Sequence, residues 1–206
     1  MRIGENALVF VRHGEPLFPE DGKKYFLGRT DWPLSERGKS QAGSLRALFE
    51  KVQWNACLTS PLARARQTAE IACAGLSIIP VEKEELAELN LGEWDGCVKT
   101  ELEALHPGLS SEREKDFFRF RFPGGDSFAD LAQKAVPFLV SLIKERGRCL
   151  VFSHAGVYRV LLQDVFGLSF PGVFSHDPGY GEFRVIERNG DMVKIVGVDI
   201  PEVRLR

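Results

Sequence analysis

Two histidines, two arginines and a group of glutamates stand along this chain at positions from which they could act together. Arg12-His13-Gly14 follows directly on the apolar run 7–11. Arg64 comes just after Ser60-Pro61, and His154 closes the apolar run 149–153. A guanidinium is a planar fork of donors that matches phosphate oxygens in pairs and keeps its charge at any working pH. A neutral imidazole can attack phosphorus, and a second one can donate to phosphoryl oxygens as charge builds on them. Gly14, with no side chain, would let backbone amides approach an anion, and a helix N-terminus beside Arg64 would add further donors. The set points to a phosphate group.

A leaving alkoxide also needs a proton. The acidic stretch Glu88-Leu89-Asn90-Leu91-Gly92-Glu93-Trp94-Asp95-Gly96 offers one. A carboxyl held beside Leu89, Leu91 and Trp94 could have a raised pKa and serve as general acid. Composition alone leaves Glu84, Glu85, Glu88 and Glu93 all open.

These groups need elements to position them. Short apolar runs at 7–11, 56–59, 77–81 and 149–153 read as buried strands. Helical patterns follow at 31–51, with Ser35 as cap, and from Ser60-Pro61 to Gly75, with Ser60 as cap and Pro61 at the first helical position. A longer pattern covers 126–146, and another runs from His154 to about Gly167. A terminal strand pair, 183–187 and 193–198, surrounds Asn189-Gly190. This alternation predicts a three-layer α/β/α fold with a mostly parallel central sheet. Between 84 and 123 the pattern breaks down, apart from a helix over 98–105. The stretch reads as a cap-like insertion over the carboxyl ends of the strands, where ligands of open α/β sheets bind. The expectation is one domain, 1–206.

The 206 residues carry 27 Lys and Arg against 29 Asp and Glu, a formal charge of −2, so no basic excess invites nucleic acid or a membrane surface. An anionic substrate must be held by a local basic cluster. Cys57, Cys73, Cys97 and Cys149 are scattered, without metal-binding spacing. With no signal-like start and no membrane-length apolar run, the chain is expected in the cytoplasm. No metal and no cofactor is expected, and a homodimer is left open.

Taken in order, the motifs resemble those of the histidine phosphatase superfamily, the phosphoglycerate-mutase-like proteins. Arg12-His13-Gly14-Glu15 is followed by Gly28-Arg29-Thr30-Asp31-Trp32-Pro33-Leu34-Ser35-Glu36-Arg37-Gly38 and Gln41-Ala42. Thr59-Ser60-Pro61-Leu62, Arg64-Ala65 and Gln67-Thr68 come next, then Glu88 with Leu91-Gly92 and Trp94-Asp95-Gly96. Pro123-Gly124-Gly125-Asp126-Ser127 and Phe152-Ser153-His154-Ala155-Gly156 complete the set. Arg-His-Gly alone is weak; the ordered series is specific. The resemblance implies His13 as nucleophile, Arg12, Arg64 and Gly14 at the phosphate, His154 as second pocket histidine, and Glu88 as proton donor and later base. Many members carry Asn six residues after the nucleophile, where this chain has Pro19. Asp126 and Ala155 are milder departures.

The implied activity is a metal-independent phosphomonoesterase acting on a small-molecule phosphate ester, similar to the short branch that includes α-ribazole-phosphate phosphatases. The competing readings are a cofactor-dependent phosphoglycerate mutase and a non-catalytic phospho-ligand sensor. Against the mutase stands the lack of Tyr-Gly after the acid; against the sensor, the intact His-Arg-Arg-Glu-His set. His106, in a loop that ends a helix, and His176, in a polar turn, read as structural. Arg66 reads as solvated or salt-bridged, and Ser153 lacks the flanking glycines of a serine nucleophile. The stretch 117–122, Phe-Phe-Arg-Phe-Arg-Phe, reads foremost as packing. The sharper alternative is a lid with Arg119 or Arg121 reaching an anionic group.

Overall fold

A computed structural model describes residues 3–145 and 147–205. Its centre is β1 (Ala7–Arg12), which lies between β4 (Arg148–Ser153) on one side and β5 (Phe183–Asn189) on the other. Beyond β4 lie β2 (Ala56–Thr59) and β3 (Val81–Glu82), and beyond β5 lie β6 (Met192–Ile195) and β7 (Val203–Arg204). The sheet is mixed. β3, β2, β4 and β1 run parallel and form its core, while β5, β6 and β7 add an antiparallel edge.

β1 is a continuous apolar run because it is covered on both faces. Its side chains alternate between two cores, as strand geometry requires. Leu8 and Phe10 enter a cluster with Leu131 and Leu139 of α5 (Phe128–Lys144) and Val157 and Leu161 of α6 (Ala155–Phe166). Ala7, Val9 and Val11 enter the other, with Leu45 and Phe49 of α1 (Glu36–Phe49) and Ala69 and Ala72 of α2 (Ala63–Ala72). The alternation repeats on β4, where Cys149 and Val151 face the first cluster and Leu150 and Phe152 the second. Three layers result.

Two serines cap helices, Ser35 as the sequence suggested. Ser35 accepts from the Gly38 amide, and Ser127 forms a reciprocal capping box with Asp130. Other expectations need correction. The strand read over 77–81 shrinks to Val81–Glu82, an exposed edge pair, and Ile79 is 82% exposed. The second helix begins at Ala63, with Leu62 and not Ser60 in the cap position. His106-Pro107 ends one helix, α3 (Lys99–Leu105), but also opens another, α4 (Pro107–Lys115), with Pro107 in its first turn. The strand pair at the end stops at Ile195 and gains a third member, β7. The pattern read over 126–146 is helical across Phe128–Lys144, and Arg146 lies outside the described residues.

Between β3 and α5 the chain packs Leu86, Leu89, Leu91, Trp94 and Phe122 into the α5/α6 cluster. Trp94 anchors it, with ring centroids 5.1 Å from Phe26 and 5.3 Å from Phe122. Arg119 and Arg121 turn instead to their own acids, Asp116 and Asp130. The phenylalanines of 117–122 pack against the α5/α6 cluster, as the foremost reading has it, while both arginines are exposed beside acidic partners. Among the described residues no helix is long and apolar enough to cross a membrane.

Candidate active site

Because β2, β4 and β1 are adjacent and parallel, their carboxyl ends lie side by side. Arg12 pairs with Ser153, and Thr59 with Phe152. The residues that leave those ends are His13, His154 and Ser60. The His13 amide donates to the Ser153 carbonyl at 3.0 Å, and the Ser60 amide to the Phe152 carbonyl at 2.9 Å. The imidazoles of His13 and His154 come to 5.0 Å between centroids. Strand order alone brings together residues 141 positions apart in the chain.

His13 is 4% exposed and held at both ring nitrogens. Nδ1 lies 2.7 Å from the Gly14 carbonyl, which can only accept, so Nδ1 carries the proton. Nε2 receives the Nε–H of Arg64 at 3.3 Å, so it presents its lone pair. Burial, with Arg64 and then Arg12 beside it, holds this imidazole well below the usual histidine range, against the opposing pull of the Gly14 carbonyl. His13 is thus neutral at pH 7. His154 is fully buried, and burial, Arg64 and His13 lower its pKa in the same direction. Its Nε2 lies 2.7 Å from Ser60 Oγ, while its Nδ1 is buried without a protein partner.

Arg64 is also fully buried. Carbonyls rather than a carboxylate take its terminal nitrogens, Thr30 at 2.9 Å and Gly28 at 2.6 Å. Burial lowers its pKa, countered through space by Glu88, Asp31 and Asp95. A guanidinium stays protonated even so. Arg12 lies over the ring of Tyr180, 4.2 Å from its centroid, and donates to the Pro178 carbonyl at 2.9 Å, while its Nε is buried and unpartnered. Glu88 is carried to the same edge. Its Oε1 accepts from the Leu89 amide at 2.9 Å and its Oε2 from the Gly156 amide at 3.2 Å, in the first turn of α6.

The family model of the histidine phosphatase superfamily (branch 1) matches residues 8–200. The chain belongs to the histidine phosphatase superfamily. A 2,3-bisphosphoglycerate-dependent phosphoglycerate mutase of Gloeobacter violaceus is 31% identical over 79% of this chain and 76% of its own length. A glucosyl-3-phosphoglycerate phosphatase of Mycolicibacterium vanbaalenii is 28% identical over 82% and 76%. The match to the 6-phosphofructo-2-kinase/fructose-2,6-bisphosphatase of Arabidopsis thaliana spans only 20% of that longer protein. Among solved structures, the α-ribazole phosphatase of Shigella flexneri superposes with a TM-score of 0.82 at 24% identity, covering 97% of this chain and 96% of its own. YhfR of Bacillus stearothermophilus gives 0.78 at 27% identity, covering 92% and 95%.

Within this superfamily fold, the structure gathers Arg12, His13, Arg64, Glu88 and His154 at one sheet edge. Gly14 departs from expectation. Its amide is committed to Thr68 Oγ1 at 3.0 Å, and a Cβ there would stand 2.5 Å from the Gly38 carbonyl. The glycine lets two backbone segments touch and leaves no amide for an anion. At the start of α2 two amides next to Arg64 are already taken, that of Ala63 by Asp31 at 2.6 Å and that of Leu62 by Ser60 Oγ at 3.2 Å. Of the other glutamates, Glu84 is exposed and faces Arg29, and Glu93 is exposed. Arg66 pairs loosely with Glu70 and Glu82, and Ser153 Oγ is bonded to the Leu86 carbonyl.

Three further residues, given no catalytic role from the sequence, shape the site. Asp95 gathers the amides of Gly28, Arg29 and Thr30 at 2.8, 2.5 and 2.7 Å, and so shapes the loop whose carbonyls hold Arg64. Tyr180 stacks near both Arg12 and His13, its centroid 5.4 Å from the latter. Ser60 grips His154. The motif positions of Ser60 and Asp95 were the available signals, and for Tyr180 its aromatic ring.

Proposed function

We propose that this chain is a phosphomonoesterase that passes through a phosphohistidine on Nε2 of His13. The observation that carries the reading is the state of that one imidazole. It is buried and neutral, its proton is fixed on Nδ1 by the Gly14 carbonyl, and its Nε2 lone pair faces a guanidinium that no carboxylate neutralises. A phosphate bound by Arg12 and Arg64 would bring its phosphorus to that lone pair.

In the first step Nε2 bonds to phosphorus as the bond to the ester oxygen breaks, and that oxygen takes a proton from Glu88. In the second, water attacks the phosphohistidine, the P–N electrons return to Nε2, and the proton of the water passes to Glu88. One ester and one water give one alcohol and inorganic phosphate. His154 contributes as a donor. Ser60 Oγ accepts the Leu62 amide and lies 2.7 Å from Nε2; with the hydroxyl donating there, the proton stands on the unpartnered Nδ1, where a phosphoryl oxygen can take it. The arginines supply the positive field, so the reaction needs no metal.

The mutase reading differs only in where the phosphoryl group goes, and the similarity to a phosphoglycerate mutase supports testing it. The experiment is phosphate release from a panel of monoesters in EDTA, with and without 2,3-bisphosphoglycerate, in wild type and His13→Ala. Release by wild type alone, indifferent to the bisphosphate, is expected. Undiminished release by His13→Ala, or loss restored by Mg²⁺ or Zn²⁺, would overturn the mechanism; dependence on the bisphosphate would favour the mutase.

A further inference from the structure

Glu88, the proton donor of the proposed reaction, also lines a cavity of about 300 Å³. Phe26, Phe117, Phe122, Phe128 and Phe174 contribute five aromatic walls, and Glu88 lines it together with Gly156, whose amide it accepts two residues beyond His154 in the chain. Cationic residues edge the rest. They are not equivalent. Arg159 gives its guanidinium to both oxygens of Asp177 and lies 4.4 Å over Phe174, and nearby Arg113 is bonded to Glu103 at 2.9 Å.

Lys99 is the exception. It lines the cavity from the first turn of α3, and its Nζ lies 5.3 Å from the centroid of Phe26. Glu103, whose charge favours that of Lys99, acts only through space, since Arg113 already occupies that carboxylate. Burial, then Arg159 and Arg113, and further off Lys24, disfavour its charge. A half-buried ammonium held beside two guanidiniums costs stability unless an anion joins it. The placement in an aromatic cavity against the proton donor gives that cost a use.

We propose that this cavity takes the alcohol portion of the substrate, and that the substrate is a phosphate monoester of a ring-bearing alcohol carrying a second anionic group, which Lys99 binds. This rests on the phosphatase reading and names its substrate class. The aromatic walls bury a flat apolar body, Lys99 receives the carboxylate or phosphate at its far end, and Glu88 stands between ring and ester oxygen. A small polyol phosphate would leave both the walls and the ammonium unused.

The test compares 6-carboxy-2-naphthylmethyl phosphate, 2-naphthylmethyl phosphate and glycerol 3-phosphate as substrates, with p-nitrophenyl phosphate as reference. Wild type should favour the carboxylated over the plain naphthyl ester by about tenfold or more in kcat/KM, the scale of one charge-assisted hydrogen bond. The plain naphthyl ester should in turn exceed glycerol 3-phosphate. In Lys99→Gln the carboxylate preference should collapse toward one, chiefly through KM, and Lys99→Arg should restore part of it. A structural role for Lys99 would instead lower both naphthyl esters together. Turnover without a carboxylate preference, a preference that survives Lys99→Gln, or glycerol 3-phosphate as the better substrate would each overturn this inference and leave the phosphatase reading standing. No turnover of any of the four esters would overturn both.

Discussion

The Nε–H of Arg64 meets Nε2 of His13 at 3.3 Å, so the guanidinium and the imidazole lone pair share one spot. An incoming phosphoryl group would enter between them, with its oxygens on the arginine and its phosphorus on the nitrogen. The contact also explains why His13 stays neutral. A proton on Nε2 would face the guanidinium head-on, inside a site from which water is largely excluded.

The depressed histidines make stability depend on pH in a definite direction. Unfolded, both imidazoles titrate near the ordinary value of about 6.5, whereas folded they titrate well below it. Between those values the unfolded chain binds more protons. Stability is therefore fully present above about pH 6.5 and falls as the pH drops below it, levelling off only beneath the folded pKa values. Each histidine contributes a slope of at most about 1.4 kcal/mol per pH unit. Urea unfolding at pH 7, 6 and 5 should show a shallower decline for His154→Asn than for wild type. Identical slopes would mean that His154 is not held neutral.

Asp95 should matter to activity without touching the reacting atoms. It collects three loop amides, and the carbonyls of Gly28 and Thr30 in that loop grip Arg64. Asp95→Ala strands those donors, at a cost of about 2 kcal/mol or more. The melting temperature should fall, and competitive inhibition by inorganic phosphate should weaken as Arg64 loses its seat. Loss of stability with phosphate inhibition unchanged would sever the proposed link from Asp95 to Arg64.

That chain of contacts marks how far the sequence could be read. The strand ends were legible because 7–11 and 149–153 are apolar runs that stop at a histidine, and a strand buried on both faces needs such a run. Ser35 was legible as a cap because capping is local. Ser60 has the same local look, yet its hydroxyl is taken up by His154 from a neighbouring strand. Gly14 was assigned to an anion when the tight approach of Gly38 accounts for it. Pro107 was read as a stop although proline opens helices as readily as it follows them. The exposed edge at Val81 carries too few apolar residues to fix its bounds. For Ser60 and Gly14 the deciding partner is distant in sequence, and periodicity carries no information about it.

Glu88 offers the sharpest test of the chemistry. Its two oxygens accept the amides of Leu89 and Gly156, so Glu88→Gln keeps the size of the side chain and one of these two bonds while removing the transferable proton. General acid catalysis is typically worth about a hundredfold to ten-thousandfold. A loss of that size is expected for an alkyl phosphate, whose alkoxide leaves poorly without a proton. For p-nitrophenyl phosphate the phosphorylation step should be far less affected, because that phenolate leaves unaided. The same Glu88 is proposed to activate water in the second step, so the variant should accumulate phosphohistidine from p-nitrophenyl phosphate. Rapid mixing should then show a burst of p-nitrophenolate approaching one equivalent of enzyme, followed by slow turnover. Equal loss of the phosphorylation step for both esters would remove Glu88 from the acid role and make Glu85 the next carboxyl to test.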